Sequence, residues 1–237
     1  MGQLVFHQGI LKDHVAFVTG GGTGITGGVA RALAEAGANV ALVSRSIEHL
    51  DTAARHLDTA ALQAGLGRVR ESPPDGGTVE LIVRRPSVDE REVLAEATLD
   101  VDAGLAGDTW QVRGSKLTAD GSSHPGMQLT VMNSRAALLV AQDPDRRMLA
   151  GDQLYVDLDL SPVNLPAGTR LAVGSAVIEV SEEPHLGCAK FAARFGKDAW
   201  RFVNSRVGRQ LRLRGLNARI VASGTVRHGD VIRKLPA

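Results

Sequence analysis

The hydrophobic pattern early in the chain differs from the pattern that follows it. A short apolar run at 14–18 is followed by a glycine-dense turn at 20–28, a stretch of helical composition at 29–36 and a second apolar run at 39–45. Two short apolar runs on either side of one helical segment predict a βαβ unit. No second unit of this kind follows, so the pattern predicts a truncated, Rossmann-like segment rather than a complete doubly wound sheet.

From about residue 66 onward, short strands replace this alternation. In the run QLYVDLDLS at 153–161, apolar residues at every second position alternate with Asp157 and Asp159, which predicts a half-buried strand. Further strands are predicted at 78–86, 127–133, 169–181 (two strands about Gly174 and Ser175) and 218–234, and helices at 134–141 and at 190–213 with a break at Gly196. Many short strands with few helices predict a mainly β, β-barrel-like domain with short helices, preceded by the partial βαβ segment.

A repeated run, HLDTAA at 49–54 and at 56–61, lies where the pattern changes. An offset of seven residues returns nearly the same face of a helix, so the repeat could be a helix with a heptad-like stripe. We favour the alternative, a junction between two unrelated segments. The chain is therefore divided into a βαβ segment at 1–60 and a second domain at 61–237.

Composition and charge narrow the functional classes. The chain is 43% hydrophobic with 27 basic and 26 acidic residues, which is typical of a soluble globular protein. From Leu186 to the end, however, there are 12 Lys or Arg and only 2 Asp or Glu residues, which favours either a face that pairs with an acidic surface or an anion-binding site. We see no signal peptide and no apolar run near the ~18 residues of a membrane span, and the single cysteine excludes an internal disulfide. We expect a cytoplasmic protein without membrane contact.

The glycine-dense turn is a candidate nucleotide loop. Gly22, Gly24 and Gly27 satisfy the spacing G-x-G-x-x-G after a predicted strand and at the start of a helix, where backbone amides can approach a pyrophosphate. Gly20 belongs to the same turn, and Arg45 at the end of the second strand would favour a 2′-phosphate, hence NADP over NAD.

Residues 10–50 resemble the N-terminus of the short-chain dehydrogenase/reductase family. The family run Thr-Gly-x-x-x-Gly-x-Gly is matched by Thr19, Gly20 and Gly24, with Thr26 in place of the last glycine. The resemblance stops before the catalytic residues of that family, which are Tyr-x-x-x-Lys. The single tyrosine here, Tyr155, has Asp159 four residues on. We therefore expect no active short-chain dehydrogenase. Nucleotide binding by the fragment stays open, although we favour a βαβ remnant that no longer binds NADP.

The sole cysteine has a different setting. Cys188 follows a predicted strand and precedes a basic helix, with His185, Lys190 and Arg194 close in sequence. Positive neighbours and a helix N-terminus both stabilise a thiolate, so we predict a reactive Cys188 rather than an inert buried one. His185 and Cys188 could form half of a zinc site, but the chain has no second cysteine to complete it.

From about 66 to 234 the chain resembles the MOSC domain, the C-terminal domain of molybdenum cofactor sulfurases and of small stand-alone bacterial proteins. The runs that carry the resemblance are GLAGDTW at 104–110, the stretch 150–180, PHLGCAKFAARFG at 184–196 and GTVRHGDVIRK at 224–234. The family implies a β-rich fold and one cysteine that carries sulfur or ligates molybdenum, and Cys188 matches that cysteine.

The resemblance also implies a cofactor. A thiolate at Cys188 suits a sulfur-rich molybdenum centre, and Cys188 is the expected metal ligand. Lys190, Arg194 and Arg135 are our candidates for the cofactor phosphate, with His185 beside them. Full sulfurases carry a separate pyridoxal-phosphate domain, so that cofactor is expected only on a separate domain or a partner. A sulfur donor or a cofactor-carrying protein is the expected partner.

Three functions stay open at this point. The first is a molybdenum-cofactor-binding or sulfur-carrier protein acting through Cys188, either a sulfur transferase or a molybdenum-dependent oxidoreductase. The second is a non-catalytic module whose basic face binds an acidic partner or nucleic acid; its phosphate contacts would be Arg206, Arg209, Arg212 and Arg214. The aromatic residues of that region fall at helical spacing typical of a core, which weighs against nucleic acid. A vestigial NADP-binding reductase fragment is the third and weakest.

Overall fold

The computed structural model describes residues 9–20, 24–45 and 59–236. The chain divides into two compact units, Met1–His56 and Leu57–Ala237. The first copy of the HLDTAA repeat and Gly22 lie outside the described residues, so the junction stays a prediction.

The first unit contains the predicted βαβ segment. Strand β1 (Val15–Thr19), helix α1 (Gly24–Glu35) and strand β2 (Asn39–Val43) follow in order, and β1 pairs with β2 in parallel. The Thr26 hydroxyl donates a hydrogen bond to the Gly20 carbonyl oxygen at 2.7 Å, so this side chain ties the start of α1 to the end of β1. In the described part of this unit no third strand continues the sheet, and Phe17 on β1 is 75% exposed.

The second unit is built mainly from strands. In chain order these are β3 (Gly77–Arg84), β4 (Glu92–Leu94), β5 (Glu96–Asp100), β6 (Gly104–Leu105), β7 (Leu129–Asn133), β8 (Leu154–Asp157), β9 (Arg170–Val173), β10 (Ala176–Val180), β11 (Leu216–Ala222), β12 (Gly224–Arg227) and β13 (Val231–Lys234). Seven of these described strands pair in the order β13-β9-β10-β11-β7-β8-β3, and β3 pairs back to β13. The sheet is therefore a closed barrel, which leaves no edge among those seven strands.

Two shorter features accompany the barrel. Strand β4 adds to β3, and β12, β5 and β6 form a separate three-stranded sheet. Within this unit β7 and β8 are parallel, and every other described pairing is antiparallel. The predicted turn between β9 and β10 is confirmed at Gly174, which has φ +56°.

The alternation along each strand separates two cores. Leu154, Val156, Leu158 and Leu160 are fully or almost fully buried in one core, as the run at 153–161 predicts. Tyr155 belongs to a second core, because successive side chains of a strand point to opposite faces.

Helices cover the second core. Those that contribute to it are α2 (Thr59–Ala64), α3 (Leu66–Arg70), α5 (Ser134–Ala141), α6 (Ala189–Asn204) and α7 (Arg206–Gln210), with a 3-10 helix at Pro144–Ala150. Helix α4 (Trp110–Arg113) and a 3-10 helix at Pro125–Met127 contribute no residue to this core. Phe191, Phe195 and Phe202 of α6 are buried against this core, so their helical spacing is that of a packing face. The predicted break is confirmed at Gly196, where φ +89° interrupts α6.

The fold class expected from the sequence is thus confirmed: a mainly β, barrel-like domain with short helices, and a partial βαβ segment before it. Among the helices that the structure describes, none combines the length and apolar character needed to cross a membrane.

Candidate functional site

Cys188 is exposed and lies at the N-cap position of α6. Its extended backbone conformation (φ −99°, ψ 179°) ends the loop after β10, and its carbonyl oxygen accepts a hydrogen bond from the Ala192 amide at 3.1 Å. The cysteine side chain makes no capping hydrogen bond. The thiol is therefore presented at the positive end of a helix, as predicted from the sequence.

The loop before Cys188 is fixed by the far half of the same helix. The Gly187 amide donates to the Asn204 side-chain oxygen at 2.9 Å, and the Trp200 indole donates to the Gly187 carbonyl oxygen at 2.8 Å. A Cβ atom at position 187 would lie 2.9 Å from Asn204 Nδ2 and 3.0 Å from Val203 Cγ2. Any larger residue here would therefore press on the Asn204 and Val203 side chains.

Cys188 lines a cavity of about 440 Å³, a volume within the range of small-molecule sites. Six basic side chains among the described residues line it as well: Arg85, Arg91, Arg113, Lys190, Arg194 and Arg214. His185, Asn217 and Asp89 contribute to its polar lining, together with small residues such as Gly151. The cavity is strongly cationic, with a thiol on its wall.

Two of the basic residues are paired across the cavity rim. Lys190 Nζ donates to Asp89 Oδ1 at 3.0 Å, and Arg194 Nη2 donates to the same oxygen at 2.8 Å. The Lys190 hydrogen bond lowers the pKa of Asp89 below its usual range. Arg194 Nη1 also donates to the Leu149 carbonyl oxygen at 2.9 Å, which holds this guanidinium in place.

A buried network of Arg214, Asp152 and His185 lies next to the cavity. Arg214 Nη1 is 2.5 Å from Asp152 Oδ2, and His185 Nε2 is 2.7 Å from Asp152 Oδ1. Arg214 Nη2 donates to the Ala150 carbonyl oxygen at 2.9 Å, and the guanidinium lies 5.2 Å from the Phe191 ring centre. Asp152 is fully buried, so both of its oxygens are used without help from bulk solvent.

The protonation of this network follows from its charges. Burial acts to raise the pKa of Asp152, but the charges of Arg214 and His185 outweigh it and lower that pKa to about 2. Burial and then the Arg214 charge lower the pKa of His185, more than Asp152 raises it. At neutral pH Asp152 is therefore ionised, and a neutral His185 donates its Nε2 proton to it.

A second buried pair supports the cavity from the barrel side. Arg85 donates from Nε and Nη2 to the two oxygens of Asp108 at 2.8 and 2.7 Å, and from Nη1 to the Gly151 carbonyl oxygen at 3.0 Å. Gly151 itself has φ +90°, and a Cβ there would lie 3.3 Å from Arg91 Nη2. A bare backbone at this position lets the arginines close in around it.

Among the described residues, three buried polar atoms of the cavity lining have no hydrogen-bond partner. They are Arg91 Nε, Arg214 Nε and Asn217 Oδ1. Buried polar groups in folded proteins are almost always paired, and exceptions point to a ligand, an ion or water that completes them. Two of these atoms are Nε–H donors of arginines that line the cavity.

The structure brings together four of the predicted site residues: Cys188, His185, Lys190 and Arg194 all line the cavity. It does not bring Arg135 to them. Arg135 Nε and Nη2 donate to the two oxygens of Asp157 at 2.8 and 2.7 Å, and Arg135 is not among the lining residues. The expectation that Arg135 contacts the cofactor is therefore wrong, because its Nε and Nη2 groups are both paired with Asp157 of β8.

Sequence reasoning missed several lining residues and the network beneath them. Arg85 and Arg91 come from the segment after β3, and Asp152 precedes β8. The clustered charges of VRRPSVDEREV at 83–93 are the signal that could have pointed to the first two. Of the four arginines of the proposed basic face, Arg214 is buried in the network, and Arg212 Nη1 donates to the Leu165 carbonyl oxygen at 2.7 Å.

The candidate nucleotide loop is described only in part. Gly20 follows β1 with φ +71°, Gly24 begins α1, and Arg45 is exposed just after β2, while Gly22 lies outside the described residues. Tyr155 is the single tyrosine of the sequence and so the single candidate for the catalytic tyrosine of a dehydrogenase. It is fully buried beside β7, and burial raises its pKa above the usual range.

Comparison with known proteins gives one family match near the start of the chain and several solved structures with a similar fold. A family model described as short chain dehydrogenase matches residues 14–67, which supports the resemblance noted for the first segment. The crystal structure of a hypothetical protein is similar with a TM-score of 0.50 and 21% identity over 72% of this chain and 72% of that one. This likeness shows a shared fold.

Two further crystal structures are more distant. The YUAD protein from Bacillus subtilis has a TM-score of 0.46 and 16% identity, covering 66% of this chain and 93% of that one. YiiM from Escherichia coli has a TM-score of 0.45 and 20% identity, covering 68% of this chain and 70% of that one.

Within the described residues, no group of three or more His, Cys, Asp or Glu side chains is placed to hold a metal ion.

Proposed function

We propose that the barrel domain is a MOSC-type domain that binds the molybdenum cofactor in the Cys188 cavity, with the Cys188 thiolate as its protein ligand. The observation that carries this proposal is that one cavity is lined both by an exposed cysteine and by two arginines whose Nε–H donors have no partner among the described residues. The resemblance of residues 66–234 to the MOSC domain, which rests on four sequence runs, supplies the identity of the ligand.

The residues of the cavity fit such a group. Thiolates are preferred ligands of soft, sulfur-bound metals, and a single thiolate suffices when an organic chelator supplies the remaining ligands. A cofactor that ends in a phosphate needs cations, and arginine is suited to phosphate because its planar guanidinium presents parallel N–H donors. The absence of a three-ligand His, Cys, Asp or Glu group among the described residues agrees with a metal that arrives already chelated.

Each residue has a defined task in this proposal. Cys188 would hold the metal end, from its place at the N-terminus of α6. Arg91 and Arg214 would bind the anionic end through their unpaired Nε–H groups, with Lys190 and Arg194 adding charge at the rim. When bound, the cofactor would supply a redox-active metal centre, which the side chains of this cavity lack.

Sulfur transfer is the alternative use of the same cysteine. A thiolate at Cys188 can attack the outer sulfur of a donor persulfide; the donor leaves as a thiolate, and Cys188 carries the sulfur as a persulfide. The donor persulfide would then come from a separate domain, a partner protein or a small molecule, because Cys188 is the single cysteine of the sequence. The exposure of Cys188 permits such an encounter.

The decisive experiment uses full-length protein purified from cells that make the cofactor. Molybdenum and oxidised pterin are measured per protein in the wild type, in Cys188→Ser and in Arg135→Gln. We expect both loads in the wild type and in Arg135→Gln, since Arg135 lies outside the cavity, and loss of molybdenum in Cys188→Ser. Sulfane sulfur is measured in the same samples after exposure to a persulfide donor. Equal loads in wild type and Cys188→Ser would exclude a role for this thiolate.

A further inference from the structure

Asp152 connects two side chains that line the cavity, although it does not line the cavity itself. One carboxylate oxygen accepts from Arg214 Nη1 at 2.5 Å, and the other is 2.7 Å from His185 Nε2. Its side chain has no exposed surface. A buried carboxylate with each oxygen on a different partner fixes the position of both partners.

The contact between Asp152 and Arg214 is of an unusual kind. Arginine pairs with a carboxylate most strongly through two parallel bonds, as Arg85 does with Asp108 through Nε and Nη2. Arg214 instead gives Asp152 a single Nη1 bond, because the second oxygen of Asp152 is used by His185. As a result Arg214 Nε makes no hydrogen bond within the described structure.

The other contacts of Arg214 complete its orientation. Nη2 donates to the Ala150 carbonyl oxygen, and the Phe191 ring packs against the guanidinium. The Nη groups are held by Asp152 and Ala150, so within the described structure the Nε edge is the side of the guanidinium left without a partner. The second oxygen of Asp152 contacts His185 and makes no bond to that edge.

We propose that Asp152 is a positioning residue for oxyanion binding: it holds Arg214 so that Nε–H stays available to an anion in the cavity. This inference rests on the proposed function only in that the cavity takes an anionic ligand. It has a counterintuitive consequence. The affinity of the cavity for an anion depends on a buried negative charge that, by Coulomb's law alone, would repel it.

The two effects of Asp152 predict opposite signs for the same substitution. Asp152→Asn removes one negative charge beneath the cavity, so a purely electrostatic role predicts tighter anion binding. If Asp152 acts by positioning, Asn leaves Arg214 free to turn, and binding weakens. A hydrogen bond from a charged donor is worth enough that its loss reduces affinity by about tenfold.

Binding of inorganic phosphate and of molybdate to the full-length protein is measured by calorimetry in wild type, Asp152→Asn and Asp157→Asn. Asp157→Asn is the matched control, because it removes the same charge from a carboxylate paired with Arg135 outside the cavity. We expect about tenfold weaker binding in Asp152→Asn and unchanged binding in Asp157→Asn, with a folded state confirmed by near-UV circular dichroism. Unchanged or tighter binding in folded Asp152→Asn overturns the proposal.

Arg214→Lys decides the question if Asp152→Asn does not fold. Lysine keeps the positive charge and can still pair with Asp152, but it has no Nε–H edge. We expect phosphate binding to weaken by a similar factor, whereas an affinity equal to the wild type overturns the proposal. Because both probes are inorganic anions, the result is independent of whether the protein carries molybdenum cofactor in cells, which the loading experiment tests separately.

Discussion

Asp89 and Arg194 are 105 positions apart in sequence and meet at the rim of the Cys188 cavity, where Arg194 Nη2 donates to Asp89 Oδ1 at 2.8 Å. Lys190 donates to the same oxygen. The Asp89 carboxylate thus pairs with two cationic side chains that would otherwise be available to an anionic ligand. Asp89 therefore competes with an anionic ligand for Lys190 and Arg194.

Asp89→Asn should therefore tighten the binding of inorganic phosphate by a few-fold, because Lys190 and Arg194 no longer share their charge with a carboxylate. Asp89 has φ +65°, a conformation that asparagine tolerates, so the loop should keep its shape. Titration calorimetry at low salt provides the measurement. Glu92→Gln serves as control, since Glu92 pairs with Arg84 away from the cavity. Equal affinity in the two variants would show that Asp89 does not compete with the ligand.

Gly151→Ala should lower both stability and anion affinity. The backbone there has φ +90°, and a Cβ would approach Arg91 Nη2 to 3.3 Å. We expect a loss of about 1–3 kcal/mol in the free energy of unfolding from the strained backbone. Phosphate binding should weaken because Arg91 is displaced. Gly168→Ala has a similar positive φ and nothing within 4 Å of the added Cβ, so it should lose stability alone. Denaturant melts and phosphate titration separate the two effects.

Acid should destabilise the barrel unit in two steps. Both His185 and Asp152 have folded-state pKa values below the unfolded ones, so the folded state binds fewer protons and stability falls as pH falls. The first step begins below pH 6.5, the unfolded pKa of His185. There His185 is protonated in the unfolded state but not in the folded state, because its folded pKa is lower. The second lies between the unfolded pKa of 3.8 and the folded pKa of about 2 for Asp152, and it removes about 2 kcal/mol.

The pH steps are measured by denaturant unfolding at a series of pH values. His185→Gln should remove the step near pH 6, because glutamine does not titrate. The lower step should remain, though weakened, because Arg214 still pairs with Asp152. A stability curve identical in wild type and His185→Gln between pH 5 and 7 would contradict the assignment.

Removing residues 1–56 should leave a folded barrel unit. The unit Leu57–Ala237 contains both cores of the barrel domain. A second truncation that also removes 57–70 should lose several kcal/mol, because Leu62, Leu66 and Val69 are buried in the helical core. Thermal melts of both truncations test this. A non-cooperative melt of the first truncation would make the βαβ segment an integral part of the fold.

The sequence allowed the strands to be predicted better than their partners. Alternation identifies the inner face of β8 because a strand has a period of two, and Gly196 predicts the break in α6 because glycine adopts φ +89° easily. The closure of β3 onto β13 and the parallel pairing of β7 with β8 join segments far apart in sequence. No local pattern encodes these pairings, so only the barrel class could be predicted.

The same limit applies to the site. His185, Lys190 and Arg194 could be found because they lie within six positions of Cys188. Asp152 and Arg91 come from other segments, and their place is decided by the barrel. Charge alone also selects Arg135, but its two-point pair with Asp157 holds it elsewhere.

The hydrogen bond from the Trp200 indole to the Gly187 carbonyl oxygen joins a fluorophore to the residue just before Cys188. The Gly187 amide is tied to Asn204 in the same segment, so the loop and the far half of α6 are braced as one piece. A ligand that pulls on Cys188 must therefore disturb the surroundings of a half-exposed indole twelve positions along the chain. The intrinsic fluorescence of Trp200 is therefore expected to change when a ligand binds at Cys188, without any added label.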